Sequence, residues 1–332
     1  VDVIALPHLI GLIGLALLFD FLNGLHDAAN AIATVVATRV LRPRTAVIGA
    51  AFFNFIAFAV FGVHVATTVG TGIIEPGIVD GAVIFGALMG AIVWNVATWL
   101  LGLPSSSSHA LIGGLVGAGI AKAGVVSVVW SGLGLTAAGI VFSPLLGLAL
   151  AQFLVLIVSW IHHRATPYAV DSRFRVLQLV SAALYALGHG GNDAQKTMGI
   201  IAVLLFSQGY LGTEFYVPLW VVITCYATMA LGTLMGGWRI VHTVGARITH
   251  LKPVQGFCAE TGGAITLFLA TGLGVPVSTT HTITGAIVGV GAARRAAAVR
   301  WRVANDIVIA WIVTIPAAAI VGALFYALAA WL

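Results

Sequence analysis

The sequence predicts an all-α polytopic membrane protein made of two inverted-topology repeats, with broken or re-entrant helices and about 10–12 membrane segments. Three observations carry this prediction. Apolar residues make up 60% of the 332 and charged residues 8%, and the mean hydropathy is +1.09. A soluble chain of that length cannot hide so much apolar surface, whereas a bilayer accommodates it. Thirteen of the fifteen lysines and arginines fall in four short clusters between apolar stretches. Finally, two polar motifs occur once in each half of the chain.

Apolar segments near 4–38, 45–64, 81–102, 104–121 and 129–160 form five expected crossings. Five more lie near 174–206, 216–235, 255–274, 277–292 and 303–331. The basic clusters are Arg39/Arg42/Arg44, Arg164/Arg173/Arg175, Arg239/Arg247/Lys252 and Arg294/Arg295/Arg300/Arg302. Clusters so placed mark cytoplasmic loops, and their alternation with spans argues against a nucleic-acid surface. The intervening loops carry Glu75, Asp80, Lys122 and Glu214. With the N-terminus outside, ten crossings put every basic cluster inside and both termini outside. The first, fifth, sixth and tenth segments exceed the roughly 20 residues of a straight span, so tilted, broken or re-entrant helices are expected.

An odd number of crossings per half inverts the second half relative to the first. The expected division is a first repeat at 1–161, a cytoplasmic connector at 162–172 and a second repeat at 173–332. No basic n-region or small-residue cleavage site opens the sequence, so no cleaved leader is expected within it. Cys225 and Cys258 lie in apolar segments without metal-ligand spacing and read as core residues.

The motifs interrupt these apolar runs. Leu103-Pro104-Ser105-Ser106-Ser107-Ser108-His109 recurs as Val275-Pro276-Val277-Ser278-Thr279-Thr280-His281. Each proline ends one helical run, and the hydroxyl residues after it are good N-caps for the next. A helix N-terminus offers free N–H groups and about half a positive charge. Two such termini facing each other would hold an oxyanion, with Ser106, Ser107, Ser108, Ser278, Thr279 and Thr280 adding donors. The glycines that follow (Gly113, Gly117, Gly119 and Gly285, Gly289, Gly291) allow close helix packing.

The second motif is acidic. Gly24-Leu25-His26-Asp27-Ala28-Ala29-Asn30 recurs, less tightly, as Gly190-Gly191-Asn192-Asp193-Ala194-Gln195-Lys196. Asp20, Asp27, Asp193, Lys196 and Glu260 all fall in apolar segments, with Asp306 close to one. Unpaired, such groups would together cost on the order of 10–20 kcal/mol in a bilayer. Asp27 and Asp193 match between the halves, which marks them as functional; Asp20 and Asp306 have no counterpart. Carboxylates beside an anion repel it unless a cation intervenes, and their oxygens suit hard cations. An anion bound only together with cations is the physical basis of symport.

These four motifs resemble those of the inorganic phosphate transporter (PiT) family, in the same order and across essentially the whole chain. The resemblance implies phosphate as substrate, cation-coupled uptake, a homodimer and a multi-pass position in a bacterial cytoplasmic membrane among lipid. It assigns Asp27 and Asp193, with Asn30 and Asn192 beside them, to a cation site for Na⁺ or a divalent ion. The hydroxyl residues fall to the phosphate site. His26, Lys196 and Asn54 depart from the strict family pattern and resemble its bacterial Pit branch. That branch implies proton coupling and carriage of phosphate partly as neutral complexes with Mg²⁺ or another divalent ion. No covalently bound cofactor is expected.

Lys196 aligns with Asn30, where a neutral oxygen would help hold a cation. Its ammonium is expected to replace one coupling sodium, leaving protons to drive uptake; the alternatives are direct phosphate binding or a position at the outer interface. Glu260 is the foremost titrating candidate, because burial favours the neutral carboxyl. His109 and His281 would carry protons or brace the hydroxyl loops. Asn54 reads as the first-half counterpart of Glu260. A sodium-coupled symporter and a divalent-metal permease are the alternative functions. An intramembrane hydrolase gives no reason to duplicate serine and histidine, so no enzyme is expected.

Overall fold

A computed structural model describes residues 4–331. Among these residues the chain forms twelve α-helices and no named β-strand. The first six are α1 (Leu6–Ala37), α2 (Pro43–Ile56), α3 (His64–Thr71), α4 (Gly81–Leu101), α5 (Ser107–Ala123) and α6 (Trp130–Ile161). The second six are α7 (Pro167–Ser207), α8 (Leu219–Met235), α9 (Trp238–His242), α10 (Pro253–Gly272), α11 (Thr279–Arg294) and α12 (Trp301–Trp331). Each set runs long, short, very short, medium, medium, long.

Two apolar clusters fill the interior, one on either side of a polar belt. The first takes Ala16 and Phe19 of α1, Ala110–Ala118 of α5 and Met198–Leu205 of α7. The second takes Ala29–Val35 of α1, Tyr185 and Ala186 of α7 and Ile283–Val290 of α11. Helix α1 therefore passes from the first cluster into the second, and α7 passes the opposite way. Helices α5 and α11 likewise leave the belt in opposite directions.

The basic clusters gather at one end. Arg175 donates to the Arg39 carbonyl at 3.2 Å, and Arg300 donates to the Ala246 carbonyl at 3.2 Å. Gly245 lies against the Ala33 carbonyl near the end of α1. At the opposite end the Ile4 amide donates to Gln208 at 2.7 Å, and Lys122 pairs with Asp80. Ile4 and Ala329 line one cavity there, so both ends of the described chain lie on the same side.

The helices depart from the ten simple crossings in two ways. The span expected over 45–64 is the 14-residue α2 with a short 3₁₀ turn, followed by α3 at an 83° bend. Its counterpart α8 bends by 65° into α9, which continues as a π-helical turn at Thr243–Arg247. Four helices (α1, α4, α6 and α12) are long and apolar enough to cross a bilayer alone, or six spans if each bent pair counts as one.

The segments near 104–121 and 277–292 also differ. Helices α5 and α11 have 17 and 16 residues and begin inside the protein, level with the middle of α1 and α7. They are the inner arms of the α4–α5 and α10–α11 hairpins. Gly102 (φ +66°) and Gly274 (φ +69°) make the reversals, in a left-handed conformation that a side chain disfavours. The chain then doubles back, with Ser105 Oγ donating to Thr98 at 3.1 Å. The expected glycine faces pack as backbone-to-backbone seams: a Cβ on Gly113 would lie 2.6 Å from the Ile315 carbonyl, and one on Gly289 2.5 Å from the Leu148 carbonyl. Thus α12 of the second set seals α5 of the first, and α6 seals α11.

Candidate functional site

Ser106 and Ser278 cap the two inner arms. Each hydroxyl oxygen accepts the backbone N–H three residues on, at His109 (3.3 Å) and His281 (3.2 Å). Both were expected among the phosphate-binding hydroxyls; each serves as an N-cap and keeps its own O–H to donate. The next amides, at Ser107 and Ser108 and at Thr279 and Thr280, lie in the first helical turn and have no partner within their helices. The His109 and His281 rings meet edge to face at 4.5 Å, which brings the two N-termini together. His281 also stacks on Trp311 at 3.7 Å, and the Trp311 indole N–H donates to the Pro104 carbonyl at 3.1 Å. The ring nitrogens of both histidines lack hydrogen-bond partners among the described residues. Their rings pack against each other between the two loops.

The carboxylates sit beneath these ends. Ser107 donates to Asp27 at 2.7 Å, and Thr279 donates to Asp193 at 2.9 Å, so each half's first hydroxyl meets its own half's aspartate. The second hydroxyls are reached from across the molecule. Asn30 donates to Thr280 at 2.9 Å, and Lys196 donates to Ser108. Lys196 also pairs with Asp193 and donates to the Val277 carbonyl at 2.7 Å. All these side chains are at most 3% exposed. Because α1 and α7 are antiparallel, residues three apart on each present a carboxylate to one loop and a donor to the other.

His26 and Asn192 hold the reversing segments. His26 contacts Asp27 at 2.8 Å through Nδ1 and Thr98 at 3.1 Å through Nε2. Asn192 donates to Thr271 at 3.0 Å and accepts from the Val277 amide at 3.4 Å.

Asn54 and Glu260 are not counterparts. Asn54 is on α2, where it donates to Thr233 at 3.0 Å and meets His189 Nδ1 at 3.1 Å. Glu260 is on α10, in the second apolar zone, and accepts from Thr34 (2.6 Å), Gln178 (3.0 Å) and Ser181. The residue as far before His109 as Glu260 is before His281 is Leu88. Both are polar residues in apolar segments, but the helices place them on different elements.

Several participants were not singled out from the sequence. His189 lies 3.2 Å from Asp193, and the Asn23 side chain is within hydrogen-bond reach of the Ser107 hydroxyl. Both precede the motif aspartate by four residues, one helical turn, so a helix-period comparison of the halves would have found them. Thr34, Gln178 and Ser181 carry no such signal, because only folding brings α1, α7 and α10 together.

Asp27, His189 and Asp193 each offer one ligand atom within 4.8 Å of the others, so the set fits a cation. Lys196 supplies one positive charge against the two aspartates. A groove of about 480 Å³ behind His281, lined by Pro144, Val288, Trp301 and Trp311, is separate from this polar cluster.

Comparison with known proteins adds to this geometry. A family model described as "Phosphate transporter family" matches residues 23–322. A "Probable low-affinity inorganic phosphate transporter" of Rhizobium meliloti (strain 1021) is 73% identical, over 97% of both chains. A protein of the same description from Bacillus subtilis (strain 168) is 43% identical, over 94% of both. A solved structure titled "The sodium-dependent phosphate transporter" superposes with a TM-score of 0.90 at 26% identity, covering 98% of this chain and 100% of that one.

Proposed function

The chain belongs to the phosphate transporter family, and from that premise we propose that it is a secondary active symporter taking up inorganic phosphate with protons. The observation that carries this reading is the pairing of two helix N-termini, each with two hydroxyls, over Asp27 and Asp193. Donors converge where an oxyanion would sit, and the aspartates reject that anion until a cation is present. Phosphate screened as a magnesium or other divalent complex would meet the same requirement.

Lys196 favours protons over sodium. Its ammonium reaches a carboxylate, a hydroxyl and a backbone carbonyl, a ligand set that would suit a sodium ion. A tethered ammonium in that place leaves one fewer position for a free cation.

A sodium-coupled reading has its own support. The Asn30 Oδ1 atom lacks a partner among the described residues, beside Asp27 and Thr280, and the superposed structure is titled sodium-dependent. The deciding experiment is radiolabelled phosphate uptake into proteoliposomes under separately imposed proton and sodium gradients, each with and without magnesium. Uptake driven by sodium alone overturns the proton reading. Metal flux without phosphate would establish the permease alternative.

The opposite directions of α1 and α7 support two inverted repeats over 1–161 and 173–332, joined through 162–172. The gathered basic clusters support a cytoplasmic side at that end, with both termini outside. The family resemblance supports a homodimer, which light scattering in detergent would test.

A further inference from the structure

Among the described residues four carboxylates are buried, and three are well supplied with donors. Asp27 has His26 and Ser107, Asp193 has Lys196 and Thr279, and Glu260 has Thr34, Gln178 and Ser181. Asp20 is the exception. It is fully buried, and its one hydrogen bond comes from the Thr197 hydroxyl at 2.9 Å. Its Oδ2 atom has no partner among the described residues.

Among the described residues no cation pairs with Asp20. Cys225 and Tyr226 of α8 share the buried cluster of Phe19, the residue before Asp20. Helix α4, also packed on α1, carries no titratable residue. The only charged residue of α2, Arg44, lies at the basic end, as do Arg239 and His242 of α9. On the remaining helices that touch α1, Glu260 is engaged by Thr34, Lys122 pairs with Asp80, His189 lies against Asp193, and His109 and His281 pack on each other. Lys196, next to Thr197, is committed to Asp193, Ser108 and Val277.

An ionised carboxylate with one neutral donor is unstable in such a place, and the group takes up a positive charge instead. A metal ion would need several oxygen ligands. Among the described residues Asp20 hydrogen-bonds one threonine hydroxyl and belongs to no cluster of three metal-ligating side chains. A proton needs a single atom, the free Oδ2.

Location links this group to transport. Asp20 precedes Asp27 by seven residues, two helical turns or about 10 Å along the same face of α1. It lies toward the end that holds Ile4. Thr197 follows Asp193 by four residues on the same face of α7, so one hydroxyl stands between the two carboxyls.

We propose that Asp20 is a proton-binding site of the transport cycle, set between the phosphate site and the Ile4 end of the molecule. The bond made and broken is one carboxyl O–H; the proton comes from water on one side and returns to water on the other. This rests on the proton-coupled reading above. Its sequence signal was weak because Asp20 has Ala186 as its counterpart in the second half.

The test uses the full chain in proteoliposomes, with an internal pH dye and labelled phosphate read together. Asp20→Asn should lose protons moved per phosphate, and Asp20→Glu should restore the ratio. Thr197→Val, which removes the only donor to Asp20 among the described residues, should move the pH profile of uptake toward higher pH. An unchanged proton-to-phosphate ratio in Asp20→Asn overturns the assignment. If that variant does not fold, an unmoved profile in Thr197→Val overturns it instead. A wild-type protein that moves no protons with phosphate overturns the coupling reading itself, which separates the two failures. A sodium arm, showing sodium-dependent uptake lost in Asp20→Asn, would replace the proton with a metal ion and also overturn the assignment.

Discussion

Lys196 and Asn30 stand three residues beyond Asp193 and Asp27, and each reaches across the molecule to the opposite loop's second hydroxyl. Asn30 donates to Thr280 at 2.9 Å, and Lys196 donates to Ser108. The two contacts share one geometry but differ by a full charge. An amide there leaves an oxygen free for a cation, whereas an ammonium is itself the cation.

Lys196→Asn should therefore restore the neutral arrangement and give uptake a sodium response. Lys196→Met should instead strand Asp193, and losing one partner of a buried pair costs about 3–5 kcal/mol. Melting of the purified protein in detergent, beside uptake with and without sodium, checks both. A Lys196→Asn protein with unchanged proton dependence and no sodium response would sink the substitution idea.

Adjacent serines of the first loop should separate stability from binding. Ser106→Ala removes a cap and should cost about 1 kcal/mol of stability with little change in KM. Ser107→Ala removes a donor aimed at the charged site, where such bonds contribute about 1.5–3 kcal/mol. Its KM for phosphate should rise about tenfold or more. Equal KM effects in both variants would contradict the division of roles.

Glu260 accepts three hydrogen bonds and is expected to donate none while ionised. Glu260→Leu removes the acceptor and strands the donors on Thr34, Gln178 and Ser181, at a cost of about 1–3 kcal/mol. Adding Thr34→Val should relieve part of this, so the two changes should couple by about 0.5–3 kcal/mol in a double-mutant cycle. Simple additivity in thermal melts would argue against the observed network.

The helix seams should be intolerant of a single methyl. Gly113→Ala and Gly289→Ala would press a Cβ against the Ile315 and Leu148 carbonyls. Both should lower the yield of monodisperse protein on size exclusion. Gly134→Ala meets nothing within 4 Å and should be neutral or stabilising by roughly 0.5–1 kcal/mol.

Much of the site was legible because membrane sequences make polar residues conspicuous. Asp27, Asp193, Lys196 and the Ser/Thr loops stood out against apolar surroundings and were doubled at matching offsets. Asn54 and Glu260 were misaligned because neither carries a repeated motif to fix its register. The bends at α2–α3 and α8–α9 were missed because hydropathy reports how apolar a stretch is, not its direction.

The sequence by itself determined the membrane environment, the two halves and the residues that must face each other or be neutralised. Desolvation cost dictates that much, since it depends only on which residues lie in an apolar run. Only the tertiary structure decided that Lys196 crosses to Ser108, that Ser106 and Ser278 serve as caps, and that Asp20 is left with one donor. Those outcomes depend on the antiparallel packing of α1 and α7 and on where α5 and α11 begin. Hydrogen bonds reach only about 3 Å, so partners are chosen by helix placement and cannot be read from spacing along the chain.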